Sequence, residues 1–421
     1  MKPIVAYVGM THLGLVSAIA AAERGFQVIG FDPDKTRTDK LTRDELPVVE
    51  PELPETLARN RERITFTSDL GVLSRADVVY VAPDVPTDDR GASDLGPITA
   101  LIAAIEPALR SDTIMVVLSQ VPPGFTRALS RAIDCRFYQV ETLIFGRALE
   151  RAVKPERFMI GAADPSLPLP DNLMAYLGAF GCPILPMRYE SAELAKISIN
   201  MFLVASVTTS NTLAELCERV GADWSEITPA LRLDARIGQS AYLKPGLGIA
   251  GGNLERDLAT VVRLGQAVGT DVDLIRSFQS NSRYRRDWVL RTLHERVLGT
   301  LSDPLIAVLG LAYKENTHST KNSPSLALLA ALGPFRVQAY DPVVKPDPLW
   351  HPHTTAEADA LDAARGADAL VIMTPWPEFK TLTGPAVAAA LKGRTVIDPY
   401  AILDGRAFAA AGLDYVRLGT V

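Results

Sequence analysis

The sequence predicts an α/β protein in which two doubly wound parallel-sheet domains are joined by a long central helix. Three observations carry that prediction. Short β-branched runs alternate with helix-like segments through the first part of the chain, Ser191–Val220 runs for 30 residues without Pro or Gly, and a second strand–helix alternation begins at Leu305. Such alternation implies parallel sheets covered on both faces. A helix of 30 residues would extend about 45 Å, longer than an ordinary domain helix. Between two α/β regions it is most simply a connector that also supplies an oligomer interface. The chain therefore divides into residues 1–188, a helical middle of 189–298, and residues 299–421.

Taken in order, Ile4–Val8 is a strand, Gly9–Gly14 a turn, Leu15–Arg24 an Ala-rich helix stopped by Gly25, and Gln27–Phe31 a strand closing on Asp32. Further strands are expected at Val78–Val81, Thr113–Leu118, Phe137–Val140 and Phe158–Ile160. The last region places them at Leu305–Leu309, Arg336–Tyr340, Ala369–Met373 and Thr395–Ile397. The proline-rich stretch Asp341–His353 reads as a surface loop.

Composition narrows the function classes. With 421 residues, 48% apolar and 22% charged, the chain can bury a sizeable core. Its 43 basic and 49 acidic residues give no electrostatic reason to expect nucleic acid or an anionic membrane as partner. Uninterrupted apolar stretches such as Leu101–Ile105 and Leu326–Leu332 fall short of the roughly 20 residues that span a bilayer. The opening Met1-Lys2-Pro3-Ile4-Val5-Ala6 enters a strand directly, without the apolar segment of a signal peptide. Cys135, Cys182 and Cys217 lack CxxC spacing and fit a reducing cytoplasm, and the histidines form no ligand cluster, so no metal site is expected.

The first motif with chemistry is strand, Gly9-Met10-Thr11-His12-Leu13-Gly14, helix, strand, Asp32. This is a dinucleotide-binding, Rossmann-like layout with one substitution. Gly9 permits the tight turn and Gly14 lets helix pack on strand, whereas Thr11 stands where a second glycine lets backbone approach pyrophosphate. The helix N-terminus still offers N–H groups and a positive dipole end. An acid at Asp32 favours a free ribose 2′-hydroxyl, hence NAD over NADP. Met10, Thr11 and His12 are cofactor contacts or simple loop filler, and Lys35 joins Gly9, Thr11, His12, Leu13, Gly14 and Asp32 as an expected cofactor residue.

Downstream follow Thr67-Ser68-Asp69-Leu70, Pro86-Thr87-Asp88-Asp89 with Gly91, Val121-Pro122-Pro123-Gly124, Glu193-Leu194-Ala195-Lys196 with Asn200, and Asp234-Ala235-Arg236-Ile237-Gly238. Leu309-Gly310-Leu311-Ala312-Tyr313-Lys314, Ser323-Pro324, Tyr340-Asp341-Pro342 and Thr374-Pro375-Trp376-Pro377-Glu378-Phe379 complete the series. In order and spacing it resembles the UDP-glucose/GDP-mannose dehydrogenase family over nearly the whole chain. The resemblance implies an N-terminal NAD domain, a central dimerisation region and a C-terminal domain that grips the nucleotide of a sugar substrate, in a homodimer. In that family a sugar alcohol is oxidised twice to a uronic acid. A cysteine traps the intermediate aldehyde, a second hydride transfer gives a thioester, and water hydrolyses it.

Against this pattern the sequence departs at the steps after the aldehyde. The family's Ser-Cys-Phe-Pro-Lys-Asp aligns with Gly252-Asn253-Leu254-Glu255-Arg256-Asp257, so the nucleophile position holds Asn253, a carboxamide that cannot carry an acyl group. In Val140-Glu141-Thr142-Leu143-Ile144-Phe145-Gly146, Phe145 takes the place of the general-base glutamate. In Ser119-Gln120-Val121-Pro122, Gln120 replaces a water-holding threonine, and Val85 replaces a threonine near the nicotinamide. Cys217, on the long helix, reads as a buried small hydrophobe.

Other positions keep the pattern. Lys196 and Asn200 share one helix face, and with Asp257 they match the trio that orders a water and assists alcohol deprotonation. Glu141 matches the family's first glutamate, and Ser119 joins the cofactor side. On the substrate side the resemblance implies Leu143, Phe145, Lys196, Asn200, Tyr242, Gly246, Gly248, Lys314 and Lys321, with Arg236 offered across the dimer. Lys321 stands where arginine is usual, and Tyr400 replaces an arginine after Asp398-Pro399. The leading expectation is an NAD-dependent oxidoreductase on a nucleotide sugar, foremost a UDP-sugar, that makes one hydride transfer and no uronic acid. The alternatives are a redox-neutral epimerase with tightly held NAD and a non-catalytic nucleotide-sugar binder.

Overall fold

A computed structural model describes residues 2–86, 88, 93–251 and 253–420, with the side chain of Asn253 outside the description. The chain forms two compact units, Met1–Ile199 and Asn200–Val421.

The first unit contains an eight-stranded sheet. Its strands are β1 (Val5–Val8), β2 (Val28–Phe31), β3 (Ile64–Thr67), β4 (Val78–Val81), β5 (Ile114–Val117), β6 (Arg136–Gln139), β7 (Phe158–Ala162) and β8 (Ile184–Arg188), in the order β3-β2-β1-β4-β5-β6-β7-β8. Because strand side chains alternate, Val5 and Tyr7 enter one core while Ala6 and Val8 enter the other, and Val78/Tyr80 against Val79/Val81 repeat the split on β4. That two-sided burial is why these strands read as continuous apolar runs. Three features depart from the expected sheet, the first being edge strand β3, which is not among the strands expected from the sequence. β7 runs antiparallel to β6 and parallel to β8, and β8 was not foreseen because Ile184-Leu185-Pro186-Met187-Arg188 is interrupted by proline and half exposed.

Helix α1 (His12–Glu23) starts inside the stretch expected to be turn, so the turn is confined to Gly9–Thr11. Its Ala18, Ala20, Ala21 and Ala22 are all buried, and these small side chains let it lie close to the sheet. The strand order reverses between β1 and β4, which places the β1–α1 turn at the crevice where open α/β sheets bind ligands.

The long helix spans Tyr189–Val220, begins in the first unit and ends in the second. Its length and hydropathy would suffice to cross a bilayer. It nevertheless buries polar groups that are satisfied by protein: the Ser210 hydroxyl donates to Tyr242 O at 3.1 Å, and Asn211 Oδ1 accepts from Gly246 N at 2.8 Å.

The second unit contains a parallel sheet of β9 (Leu305–Leu309), β10 (Arg336–Tyr340), β11 (Thr354–Ala356), β12 (Ala369–Ile372), β13 (Thr395–Ile397) and β14 (Asp414–Val416), ordered β11-β10-β9-β12-β13-β14. The Asp341–His353 segment is more than a surface loop. Asp341, Val344 and His351 are buried, and the His351 ring meets Leu332 O at 2.9 Å, which pins the segment onto the domain.

Candidate active site

The β1–α1 turn shows why its glycines are where they are. Gly9 has φ +94°, and a Cβ there would lie 2.8 Å from Pro83 N; a Cβ on Gly14 would lie 2.0 Å from Gly9 O. Both positions exclude other residues. Thr11 occupies the N-cap without capping the helix. Its hydroxyl oxygen instead accepts the Asp84 N–H at 2.8 Å. Leu13 buries its side chain in the core, so its backbone N–H is what it can offer a ligand.

Asp32, at the end of β2, accepts Met10 N–H at 2.7 Å and Asp34 N–H at 2.9 Å. It also pairs with Arg37 at 2.8 Å. Lys35 does not join this group: its ammonium pairs with Asp39 at 2.7 Å on an exposed face of α2 (Lys35–Thr42). The basic residue beside Asp32 is therefore Arg37, which the sequence reading missed. The glycine turn, the N–H donors of the first turn of α1 and the acid on β2 fit a dinucleotide whose adenosine ribose meets Asp32. Ser119 is buried, its hydroxyl donating to Pro83 O at 2.5 Å, and Val85 is half-buried nearby in sequence.

His12 links this turn to the segment after β6. Its ring meets Glu50 Oε1 at 2.9 Å and stacks on Phe145 with centroids 4.2 Å apart. Glu50 is buried and accepts the N–H groups of Gly146 at 3.0 Å and Ala148 at 3.2 Å. Thus Phe145, where the resemblance expected a carboxylate base, is an aromatic lid on the His12 ring, and the Glu50 carboxylate ties down the backbone behind it.

Elsewhere in the first unit, Lys196 Nζ lies 3.3 Å from Glu141 Oε2, with both side chains largely buried. Glu141 also accepts the N–H of Leu143, which fixes the carboxylate toward the lysine. Glu193, one turn before Lys196, is fully buried and accepts Gly124 N at 2.6 Å and Thr126 N at 2.8 Å. Burial raises its carboxyl above the usual range. It holds the Val121-Pro122-Pro123-Gly124 loop, next to half-buried Gln120, against the long helix.

In the second unit, Asn200 Nδ2 donates to Asp257 Oδ2 at 2.5 Å, and Arg256 Nε stands 3.3 Å from Asp257 Oδ1, all three residues buried. Asp257 lies one turn into the helix Asn253–Val268. Lys196 and Asn200 are likewise one turn apart on Tyr189–Val220. Thr87, Asp89, Gly91, Gly252 and the Asn253 side chain lie outside the described residues. Cys217 packs with Ala214 and Trp224, and burial raises its thiol, so it is a packing residue.

The loop before Asn253 is held at several points. Tyr242 O accepts Ser206 and Ser210 hydroxyls at 3.0 and 3.1 Å, Leu243 O accepts Trp224 Nε1 at 2.7 Å, and Ile249 N donates to Ser282 Oγ at 2.7 Å. Gly248 has φ +81°, and a Cβ there would meet Ser282 O at 2.5 Å. Tyr242 leaves about half its surface exposed, and Arg236 projects into solvent with its guanidinium on Asp234 at 2.6 Å. Lys314 and Lys321 are half-buried. A cavity of about 270 Å³ in this unit is lined by Trp224, Arg232, Lys244, Pro245, Tyr400 and Arg417, among others. Arg417 pairs with Asp223 at 2.8 Å, and the Tyr400 hydroxyl donates to Met373 O at 3.1 Å. Arg417 escaped the sequence reading because it lies outside every motif quoted.

Comparison with known proteins gives these features a context. Models of the UDP-glucose/GDP-mannose dehydrogenase family match in three parts: the NAD binding domain over residues 3–171, the central domain over 190–283 and the UDP binding domain over 307–405. The chain is 30% identical to UDP-glucose 6-dehydrogenase TuaD of Bacillus subtilis, across 100% of this chain and 93% of that protein. It is also 30% identical to the UDP-glucose 6-dehydrogenase of Rhizobium meliloti, across 98% of each. A solved UDP-glucose dehydrogenase from Pyrobaculum islandicum has a TM-score of 0.84 at 26% identity, covering 97% of this chain and 98% of that one. A UDP-D-ManNAc dehydrogenase from Pyrococcus horikoshii shares the fold, with TM-score 0.84, 23% identity and 99% of each chain covered. The chain belongs to the UDP-glucose/GDP-mannose dehydrogenase family and is an NAD-dependent oxidoreductase of the nucleotide-sugar dehydrogenase type.

Proposed function

We propose that this family member oxidises a nucleotide sugar, foremost a UDP-sugar, by one hydride transfer and releases a carbonyl product instead of a uronic acid. The observation that carries the reading is Asn253, at the position where the family holds its thiol nucleophile. A carboxamide nitrogen is not nucleophilic, so no covalent adduct holds the aldehyde for a second oxidation. Phe145 supports the same reading. Stacked on His12, it offers no group that could activate water for hydrolysis.

Bound NAD supplies the hydride acceptor. The residues proposed to hold it are Gly9, Thr11, His12, Leu13, Gly14 and Asp32, with Arg37 in place of Lys35. Lys196 relays the proton of the substrate alcohol, directly or through a water, handing its own proton to the Glu141 carboxylate as it takes the alcohol's. Glu141 at 3.3 Å keeps that lysine oriented. Asn200, held by Asp257 at 2.5 Å, donates a hydrogen bond to the developing oxyanion. Charge is then balanced: hydride leaves carbon, the proton leaves oxygen, and a carbonyl remains. The cavity beside Lys244, Tyr400 and Arg417 is proposed to receive the nucleotide, with Arg417 supplying the cation that position 400 lacks. The helical middle and Arg236 are proposed to serve a homodimer.

The test is to incubate the protein with NAD and a panel of UDP- and GDP-sugars and to identify products by mass spectrometry. A product two mass units lighter than its sugar is expected. A uronic acid would overturn the proposal, and so would an isomeric sugar formed without NADH.

A further inference from the structure

Asp84 lies just beyond β4, where Pro83 packs against Gly9, and its side chain is exposed. Two hydrogen bonds fix it onto the cofactor turn. Its backbone N–H donates to Thr11 Oγ1 at 2.8 Å, and its carboxylate Oδ2 accepts the His12 N–H at 3.1 Å. The His12 N–H is the first donor of α1, at the positive end of the helix, where a dinucleotide places its diphosphate. One of the donors that the diphosphate needs is therefore already taken by an anion of the protein itself. Among the described residues, three basic groups of this turn and of α2 are already engaged. Arg37 is engaged by Asp32, the His12 ring is engaged by buried Glu50, and Lys35 is turned away to Asp39.

We infer that Asp84 sets the affinity for NAD. The diphosphate gains the His12 N–H only after the carboxylate swings out toward solvent, and it then sits close to a like charge. NAD accordingly binds more weakly than it would without this carboxylate. The inference rests on the proposed seating of NAD at this turn and goes beyond the single-hydride reading, since it concerns affinity for the cofactor and not the product.

The experiment is calorimetric titration of the full-length protein and of Asp84→Asn and Asp84→Ala with NAD, ADP-ribose and adenosine. Because a surface charge at a helix end is a modest effect, removing the carboxylate should tighten NAD and ADP-ribose by about three- to tenfold. Adenosine, which lacks the diphosphate, should bind all three proteins equally. Asp171→Asn, which removes an exposed acid on the helix Asp171–Gly178, controls for net charge and should change nothing. Unchanged or weaker NAD binding in the Asp84 variants overturns the inference, as does an equal gain for adenosine or no binding by any protein. None of these readouts involves turnover, so product analysis judges the single-hydride reading separately.

Discussion

In the first unit the chain turns at Gly9 after β1, and Asp32 at the end of β2 accepts the Met10 N–H at 2.7 Å. In the second it turns at Gly310 after β9, and Asp341 at the end of β10 accepts the Leu311 N–H at 2.6 Å. Both glycines have φ +94°, and each abuts the residues that follow a neighbouring strand, Pro83 in one case and Thr374 in the other. From that shared device the units diverge. Asp341 also accepts N–H groups from Ala312, Val343, Val344 and the Trp376 indole, at 2.8 to 3.1 Å. Among the described residues, Asp32 takes only Asp34 N–H and the partly exposed guanidinium of Arg37 in addition. After Gly9 a helix begins within three residues, whereas after Gly310 the next helix waits until Pro324. The same strand–glycine–acid arrangement thus stands at the proposed cofactor seat in one unit and forms a structural rivet in the other. What separates the two is how much of the acid's accepting capacity the protein consumes.

That contrast is open to direct attack. Asp341→Ala strands five buried or partly buried donors and should cost about 3–5 kcal/mol in chemical denaturation. Lys196→Ala leaves the second unit's grip on the nucleotide alone and should lower kcat about 100-fold or more with little change in KM. Asp32→Asn keeps an acceptor for Met10, so it should cost only about 1 kcal/mol of stability. Its main effect should be on the preference for NAD over NADP, which falls by about tenfold in competition kinetics once the charge facing a 2′-phosphate is gone. The smallest effects separate two neighbours on α2: Arg37→Ala should shift the KM for NAD by about threefold, and Lys35→Ala should leave it unchanged.

Much of the fold was legible because its strands are buried on both faces and its long helix lacks breakers. The direction of β7 was not, since an apolar run carries no polarity, and the short β8 is interrupted by Pro186 and gave no strand signal. In the site, Gly9, Gly14 and Asp32 followed from backbone sterics and charge. Arg37 was not singled out because its contact with Asp32 depends on helix phase, whereas Lys35 pairs with Asp39. With Asp34 as N-cap, the first helical residue points to solvent while the third reaches back to the cap side. Glu50 gave no local signal, because its partners His12, Gly146 and Ala148 are remote in sequence. Asp341 stood in a motif, but its role was hidden for another reason: four of its five bonds run to backbone N–H groups, about which side-chain identity says nothing.

The central claim, that chemistry stops after one oxidation, is tested most directly by exhaustive reaction of an accepted nucleotide sugar with excess NAD. Absorbance then gives the NADH formed, and chromatography the sugar consumed. The account predicts one NADH for each sugar, a yield that Asn253→Cys alone does not raise because Phe145 and Gln120 remain. Two NADH per sugar from the unmodified protein, with a uronate as product, would contradict it.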